Sequence, residues 1–228
     1  MDTKSLPIFK IVLVGNSHVG KSSIVERYCT KKFNLEHSST IGAAMFVQKL
    51  LVEKDGKIRS ITVHIWETGG QERFFALVPL YLRNADAILF VFDTSDRGHS
   101  LERLKTTWLK IVEDQIFSPA LFFTVGNKID LLSEEDFETL QESVNVQIAL
   151  GELPESLSTV CYTSAKDNVG IDTLFNHIGK GFLSEAFLLE KWKYEEVHKA
   201  EDSNESTIQL DDVTIRKWYT CCTHHRLS

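Results

Sequence analysis

Three short stretches of this sequence combine residue types and spacings that could do chemistry. The first is Gly15-Asn16-Ser17-His18-Val19-Gly20-Lys21-Ser22, a glycine, four intervening residues, then Gly-Lys-Ser. Backbone N–H groups of such a loop converge on phosphate oxygens, and a helix opening at its end adds partial positive charge. Lys21 brings a full charge between terminal phosphates, and the Ser22 hydroxyl is a hard oxygen suited to Mg²⁺. His18 has no partner in the loop to define a catalytic role, so it reads as a surface side chain whose backbone N–H does the binding. The second and third stretches are Asn127-Lys128-Ile129-Asp130 and Ser164-Ala165-Lys166. A carboxylate such as Asp130 can accept two hydrogen bonds from the N1–H and N2–H₂ edge of guanine. Adenine lacks those donors and would leave the carboxylate unpaired, which is how a hydrogen-bonding site discriminates strongly.

These stretches need elements that bring them together. Ile8–Val14 is a run of β-formers ending at Gly15, and Lys21–Thr30 has helical character, so the phosphate loop joins strand to helix. Gln48–Glu53 and Ile58–Trp66 flank Lys54-Asp55-Gly56-Lys57, and Asp-Gly between apolar stretches signals an antiparallel hairpin. Ala87–Phe92, Leu121–Val125 and Val160–Thr163 read as further strands, the last two ending just before the second and third stretches. Leu101, Leu104, Trp108, Ile111, Val112 and Ile116 recur at helical steps, which predicts a helix over Ser100–Ile116 with one buried face. Phe137–Leu150 and the segment marked by Ile171, Leu174, Phe175, Ile178 and Phe182 read as helices as well. Strands alternating with helices predict an α/β fold whose mainly parallel sheet is covered on both faces, with binding at the carboxyl ends of the strands.

The chain has 228 residues, enough for one domain or for one domain and a tail. Hydrophobic residues make up 43%, which supplies a core, while a net charge of −7 excludes a generic basic nucleic-acid footprint. No apolar run approaches the ~20 residues of a membrane helix, and Met1–Pro7 lacks the apolar stretch of a secretory signal. Four scattered cysteines, Cys29, Cys161, Cys221 and Cys222, make no disulfide framework and suit a reducing, cytosolic setting. Composition shifts near residue 189, and Glu195–Asp212 carries seven acidic residues and one Lys. The expected organisation is a domain over 8–189 and a mostly unfolded tail over 190–228 with a helical start; a helix docked on the domain is the alternative.

Taken together, Gly15–Ser22, Thr40-Ile41-Gly42, Trp66-Glu67-Thr68-Gly69-Gly70-Gln71-Glu72, Asn127–Asp130 and Ser164–Lys166 resemble, in order and approximate spacing, the five nucleotide motifs of the Ras superfamily. Thr40-Ile41-Gly42, the Trp before the third motif, and Asp93-Thr94-Ser95-Asp96 look like a Rab-type small GTPase. The resemblance covers about residues 8–183. It implies a three-layer fold: a six-stranded, mostly parallel sheet flanked by five helices. It also implies GTP/GDP and Mg²⁺ as cofactors, with Gly15, Asn16, Ser17, His18, Val19, Gly20, Lys21, Ser22 and Ser23 around the phosphates. Lys21 would bind the β- and γ-phosphates, and Ser22, Thr40 and the position of Glu67 would serve the metal. Gly70 would offer its N–H to the γ-phosphate and Gln71 would orient the attacking water, so Gln71 and Lys21 are the catalytic pair. Phe33 would pack against guanine. Asn127 and Asp130 would hold the base, Lys128 would lie over it, and Ser164, Ala165 and Lys166 would complete the pocket, the Ala165 N–H meeting O6.

This resemblance implies a switch. Thr40 and Gly70 would grip the γ-phosphate and lose it on hydrolysis, so about 33–46 and 68–82 should order with GTP and loosen with GDP. No Arg lies in Phe33–Thr40, so hydrolysis should be slow alone and accelerated by a partner that inserts one. Phe74, Phe75, Trp66 and Tyr81 either offer aromatic surface to partners or pack beneath the switch. The implied role is vesicle and membrane traffic on the cytoplasmic face of an endomembrane. The implied partners are effectors, an exchange factor, an activating protein and a prenyl-carrier chaperone. A GTP-binding scaffold that scarcely hydrolyses is the alternative.

Four features depart from the family pattern. Glu67 stands where Asp is typical; its extra methylene either lowers metal affinity or lets the carboxylate displace a metal-bound water. Gly69 replaces the usual Ala and makes switch closure entropically dearer by ~1 kcal/mol. Phe46 comes one residue late, which without a bulge turns it to the opposite sheet face and puts Met45 on the partner side. Rab-type tails usually end in one or two cysteines that receive geranylgeranyl groups, whereas Cys221-Cys222 here precede six more residues. They still read as candidate lipid sites, since two chains hold a membrane where one does so marginally.

Overall fold

The computed structural model describes residues 6–35, 40, 42–70 and 72–203, without side-chain detail for 72–74 and 198–203. Gln71 and Cys221-Cys222 therefore lie outside the described residues.

Six strands form one sheet in the order β2-β3-β1-β4-β5-β6. They are β1 (Phe9–Val14), β2 (Ala43–Lys54), β3 (Lys57–Thr68), β4 (Ala87–Asp93), β5 (Leu121–Asn127) and β6 (Val160–Thr163). All neighbours are parallel except β2 and β3, which form the hairpin predicted around Asp55-Gly56. Asp55 and Gly56 both carry positive φ, 54° and 69°, as the tight turn between right-twisted strands requires.

Alternation along β1 divides the core. Ile11 and Leu13 face a layer built from Ile24 and Val25 of α1 (Lys21–Thr30) and Leu174, Phe175, Ile178 and Phe182 of α6 (Ile171–Phe182). Val12 and Val14 face the opposite layer. There Val78 and Leu82 of α2 (Val78–Leu82) meet Leu104, Trp108 and Val112, and Val144 of α5 (Glu134–Ala149) joins them. The two full cores are why β1 and β4 are almost wholly apolar: each strand is buried on both faces.

The helix predicted over Ser100–Ile116 is built in three head-to-tail pieces: α3 (His99–Arg103), a π-helical stretch (Leu104–Trp108) and α4 (Leu109–Glu113). Beyond the five helices implied by the resemblance comes α7 (Glu185–Ser203), which crosses the expected boundary at residue 189. Its start docks on the domain. Phe187 is buried against Phe9 and Phe182, and the Lys191 ammonium pairs with the Asp86 carboxylate at the amino-terminal side of β4. Lys54 Nζ donates to the Leu183 carbonyl just before it. Among the described residues, no helix is long and apolar enough to cross a membrane.

The β2–β3 register is continuous, with Met45 opposite Trp66 and Phe46 opposite Ile65. Phe46 therefore packs on the α1/α6 core while Met45 is exposed on the Trp66 face, as the late position of Phe46 predicts in the absence of a bulge.

Candidate functional site

Because β1, β3, β4, β5 and β6 are parallel, their carboxyl ends form one rim. Val14, Thr68, Asp93, Asn127 and Thr163 end the five strands, so the Gly15–Ser22 loop, Asn127–Asp130 and Ser164–Lys166 begin at this rim and the third motif crosses it, while Thr40 precedes the antiparallel β2. The described residues Ser17, His18, Lys21, Ser22, Phe33, Thr40, Glu67, Gly70 and Lys128 share one cleft of about 260 Å³.

The phosphate loop is shaped by close approaches. Gly15 has φ 142°, and a Cβ there would sit 2.2 Å from the Val91 carbonyl oxygen. Gly20, at φ 94°, caps α1, and its Cβ would sit 2.2 Å from Asn127 Nδ2. Lys21 is 6% exposed and curls back, donating from Nζ to the carbonyls of Gly15 and Asn16, both at 2.8 Å. Burial pushes its pKa down to about 8, opposed by the charge of Glu67. An ammonium held this way is aimed into the loop and gains most from a polyanion placed there. His18 is exposed on the rim with φ 67°, a left-handed position that leaves its backbone, rather than its ring, inside the loop.

Three hard oxygens converge beside Lys21. The Ser22 and Thr40 hydroxyls both donate to Glu67 Oε1, and the two hydroxyl oxygens lie 3.1 Å apart. Glu67 is 3% exposed, so its longer side chain has carried a carboxylate fully into the cluster. Two hydroxyls and a carboxylate fit a small hard cation that keeps part of its water shell, as Mg²⁺ does. Gly70 abuts the same loop: a Cβ on it would fall 2.4 Å from Asn16 C and Ser17 N, so that approach requires glycine.

The base side is tied to the phosphate side. Asn127 Nδ2 donates to the Val19 carbonyl at 3.0 Å, and Asn127 Oδ1 accepts from Thr163 Oγ1 at 3.1 Å and from the Ala165 N–H at 3.2 Å. Ser164 Oγ donates to Asp130 Oδ1 at 2.6 Å, fixing the carboxylate plane. Lys128 has φ 71° and pairs through Nζ with Asp93 Oδ2 at 2.6 Å, which holds its stem along the cleft. Burial would raise the Asp93 pKa, but bonds from Lys128 and Ser95 outweigh it and hold the carboxyl below its usual range. Phe33, three residues past the end of α1, lines the cleft with its ring centroid 5.8 Å from the Arg27 guanidinium carbon.

A model of the Ras family matches residues 10–184. The chain is 36% identical to mouse "Ras-related protein Rab-21" over 185 residues, covering 81% of this chain and 78% of the mouse protein. It is 32% identical to "Ypt/Rab-type GTPase YPT7" of Saccharomyces cerevisiae over 191 residues, covering 81% and 86% of the two chains. Against "GTP-binding protein ypt5" of Schizosaccharomyces pombe it is 36% identical over 171 residues, covering 75% and 76%.

The chain belongs to the Ras family, as a Rab-type small GTPase.

Trp66, Phe75 and Tyr81 of this Rab-type domain are each half-buried, and Phe74 lies outside the residues with described side chains. Trp66 and Phe75 pack against the second core layer, Trp66 with Tyr81 at 5.8 Å and Phe75 edge-on to Trp108 at 4.8 Å. Sequence reasoning missed three supports of the site. Asp93 was legible only as part of a family signature, not as the partner of Lys128. Trp108 reads as a core position, although a buried indole N–H needs an acceptor, and that rule was the available signal; the acceptor is Asn16 of the phosphate loop. Arg27 sits on a helix face with nothing in its spacing to single it out.

Proposed function

We propose that this Rab-type protein is a GTP-binding switch that hydrolyses GTP to GDP and regulates vesicle and membrane traffic through nucleotide-dependent partner binding. The observation that carries the reading is the Asn127 bridge: one side chain holds the phosphate loop at Val19 and the base loop at Ala165. A pocket so joined grips both ends of one ligand, a triphosphate and a guanine edge read by Asp130.

Bound Mg²⁺ supplies neutralisation of charge on the phosphate oxygens. Ser22, Thr40 and Glu67 would hold it, the Glu67 carboxylate being within hydrogen-bond reach of both hydroxyls. Lys21 would hold charge between the terminal phosphates, Gly70, which abuts the same loop, would offer its N–H to the γ-phosphate, and Gln71 would orient the attacking water. Thr40 and Gly70 lose the γ-phosphate on hydrolysis, so the segments that carry them relax, and effectors that read the ordered form leave. An exchange factor then reloads the site and an activating protein supplies the Arg that the 33–40 segment lacks. Alkylation of the Cys221 and Cys222 thiols by a geranylgeranyl diphosphate, with loss of diphosphate and the thiol protons, would let a prenyl-carrier chaperone bring the protein to the cytoplasmic face of an endomembrane.

Single-turnover hydrolysis of bound GTP with Mg²⁺, with and without an activating protein, tests the reading. Slow intrinsic turnover that Gln71→Leu lowers further is the expected result. A second reading, a GTP-binding scaffold with little hydrolysis, draws on Glu67 alone; it predicts no acceleration by any activator and no effect of Gln71→Leu.

A further inference from the structure

Arg27 lies on α1, outside every nucleotide motif, yet its guanidinium donates to three backbone carbonyls near the site. Its Nε donates to the Ala165 carbonyl at 2.7 Å and its Nη2 to the Lys166 carbonyl at 2.6 Å. Two adjacent donors of one planar guanidinium thus take two successive carbonyls of the base loop, a fork that Lys cannot reproduce. Nη1 turns the other way and donates to the Lys31 carbonyl at 2.8 Å. Lys31 is the left-handed C-cap of α1, with φ 59°, and two residues later the chain reaches Phe33, whose ring lies 5.8 Å from the same guanidinium carbon.

We infer that Arg27 is a positioning residue for the guanine nucleotide: it locks the loop that meets the base edge to the segment that covers its side. The inference rests on the GTP-binding reading above. Ala165 is held on both sides, its N–H donating to Asn127 Oδ1 and its carbonyl accepting from Arg27, so two successive peptide planes are fixed by two different side chains. Loss of the Arg27 fork removes the donors to the Ala165 and Lys166 carbonyls and leaves the loop to Asn127 and to the bonds of Ser164. Loss of the Lys31 bond frees the α1 exit, and Phe33 moves with it. Both changes open the base end of the cleft, whereas Lys21, Ser22, Thr40, Glu67 and Gly70 at the phosphate end make no bond to Arg27. Arg27 therefore governs how long nucleotide stays rather than how fast its phosphate is cleaved.

The test compares wild type, Arg27→Gln and Arg27→Lys, each loaded with a fluorescent GDP and chased with excess GDP. The same proteins are assayed for single-turnover GTP hydrolysis and for melting at saturating GDP. Release from Arg27→Gln should rise about tenfold or more, equivalent to about 1.4 kcal/mol. Arg27→Lys should fall between, because an ammonium reaches one carbonyl but not the fork. Hydrolysis of the loaded nucleotide should shift far less than release. Release within twofold of wild type in Arg27→Gln overturns the inference, and so does a parallel change in release and hydrolysis, which marks a general loss of structure. A wild-type chain that retains no guanine nucleotide overturns the GTP-binding reading and this inference together.

Discussion

The indole N–H of Trp108 donates to the carboxamide oxygen of Asn16 at 2.9 Å, joining a fully buried residue at the end of the π-helical stretch to the phosphate loop. π-helical turns inside α-helices recur at functional sites. Here the turn delivers a large ring beneath the loop while its other edge meets Phe75, which follows the third motif. Trp108→Phe removes the donor and keeps most of the ring. It should cost about 1–2 kcal/mol of stability, because the Asn16 oxygen loses its buried partner. Urea unfolding of Trp108→Phe, Asn16→Ala and the double variant checks this: the double should cost clearly less than the sum of the singles.

Gly70 approaches the loop where no side chain fits. Gly70→Ala should keep GDP binding close to wild type but fail to close on GTP. Its hydrolysis should fall by about a hundredfold, the scale of losing one aligned donor to developing charge. Parallel GDP and GTP affinities with a hydrolysis assay read this out. Equal loss of both affinities would point to collapse of the loop instead.

Glu67 joins the Ser22 and Thr40 hydroxyls through one carboxylate oxygen. Glu67→Gln keeps the length and removes the charge that a hard cation needs. The Mg²⁺ concentration that half-protects bound GDP from release should rise roughly tenfold or more. Glu67→Asp, which retreats by one methylene, tests whether direct contact matters: an unchanged Mg²⁺ midpoint would show that it does not.

Lys191 and Asp86 form a buried pair that docks α7, their side chains 14% and 6% exposed. Burial raises the Asp86 pKa, with Lys191 and the Lys10 N–H opposing it. Lys191→Met leaves a buried carboxylate without its counter-charge and should cost about 3 kcal/mol, most of it recovered by adding Asp86→Asn. The pH dependence follows from the sign of the shift. Between the ordinary Asp value and the raised folded value, the folded state binds more protons than the unfolded one. Stability contributed by this group therefore falls as pH rises through that window. Lys191→Met should steepen that fall and Asp86→Asn should abolish it, as unfolding free energies measured across acid to neutral pH will show.

The site was legible because its chemistry is local in sequence: a loop, a tetrapeptide and a tripeptide each follow an apolar strand, and parallel pairing brings their ends to one rim. The turn of Phe46 was legible for a similar reason, since period-two alternation fixes a face once register is known. What stayed hidden depends on pairings across long separations. Arg27 meets Ala165 across 138 positions, and Trp108 meets Asn16 across 92. Neither has a spacing rule, because a hydrogen bond to a backbone carbonyl or a carboxamide constrains the partner's residue type weakly. The docking of α7 was obscured by composition: an acidic, mean-polarity segment conceals single anchors such as Phe187 and Lys191.

In the proposed function, guanine selection depends on Asp130, whose carboxylate accepts from Ser164 Oγ. Competition of GTP, ATP and XTP for wild type and Asp130→Ala therefore tests the account most directly. Wild type should take GTP far ahead of both competitors, and Asp130→Ala should lose that ranking. An Asp130→Ala protein that still selects GTP as strongly as wild type would contradict the account.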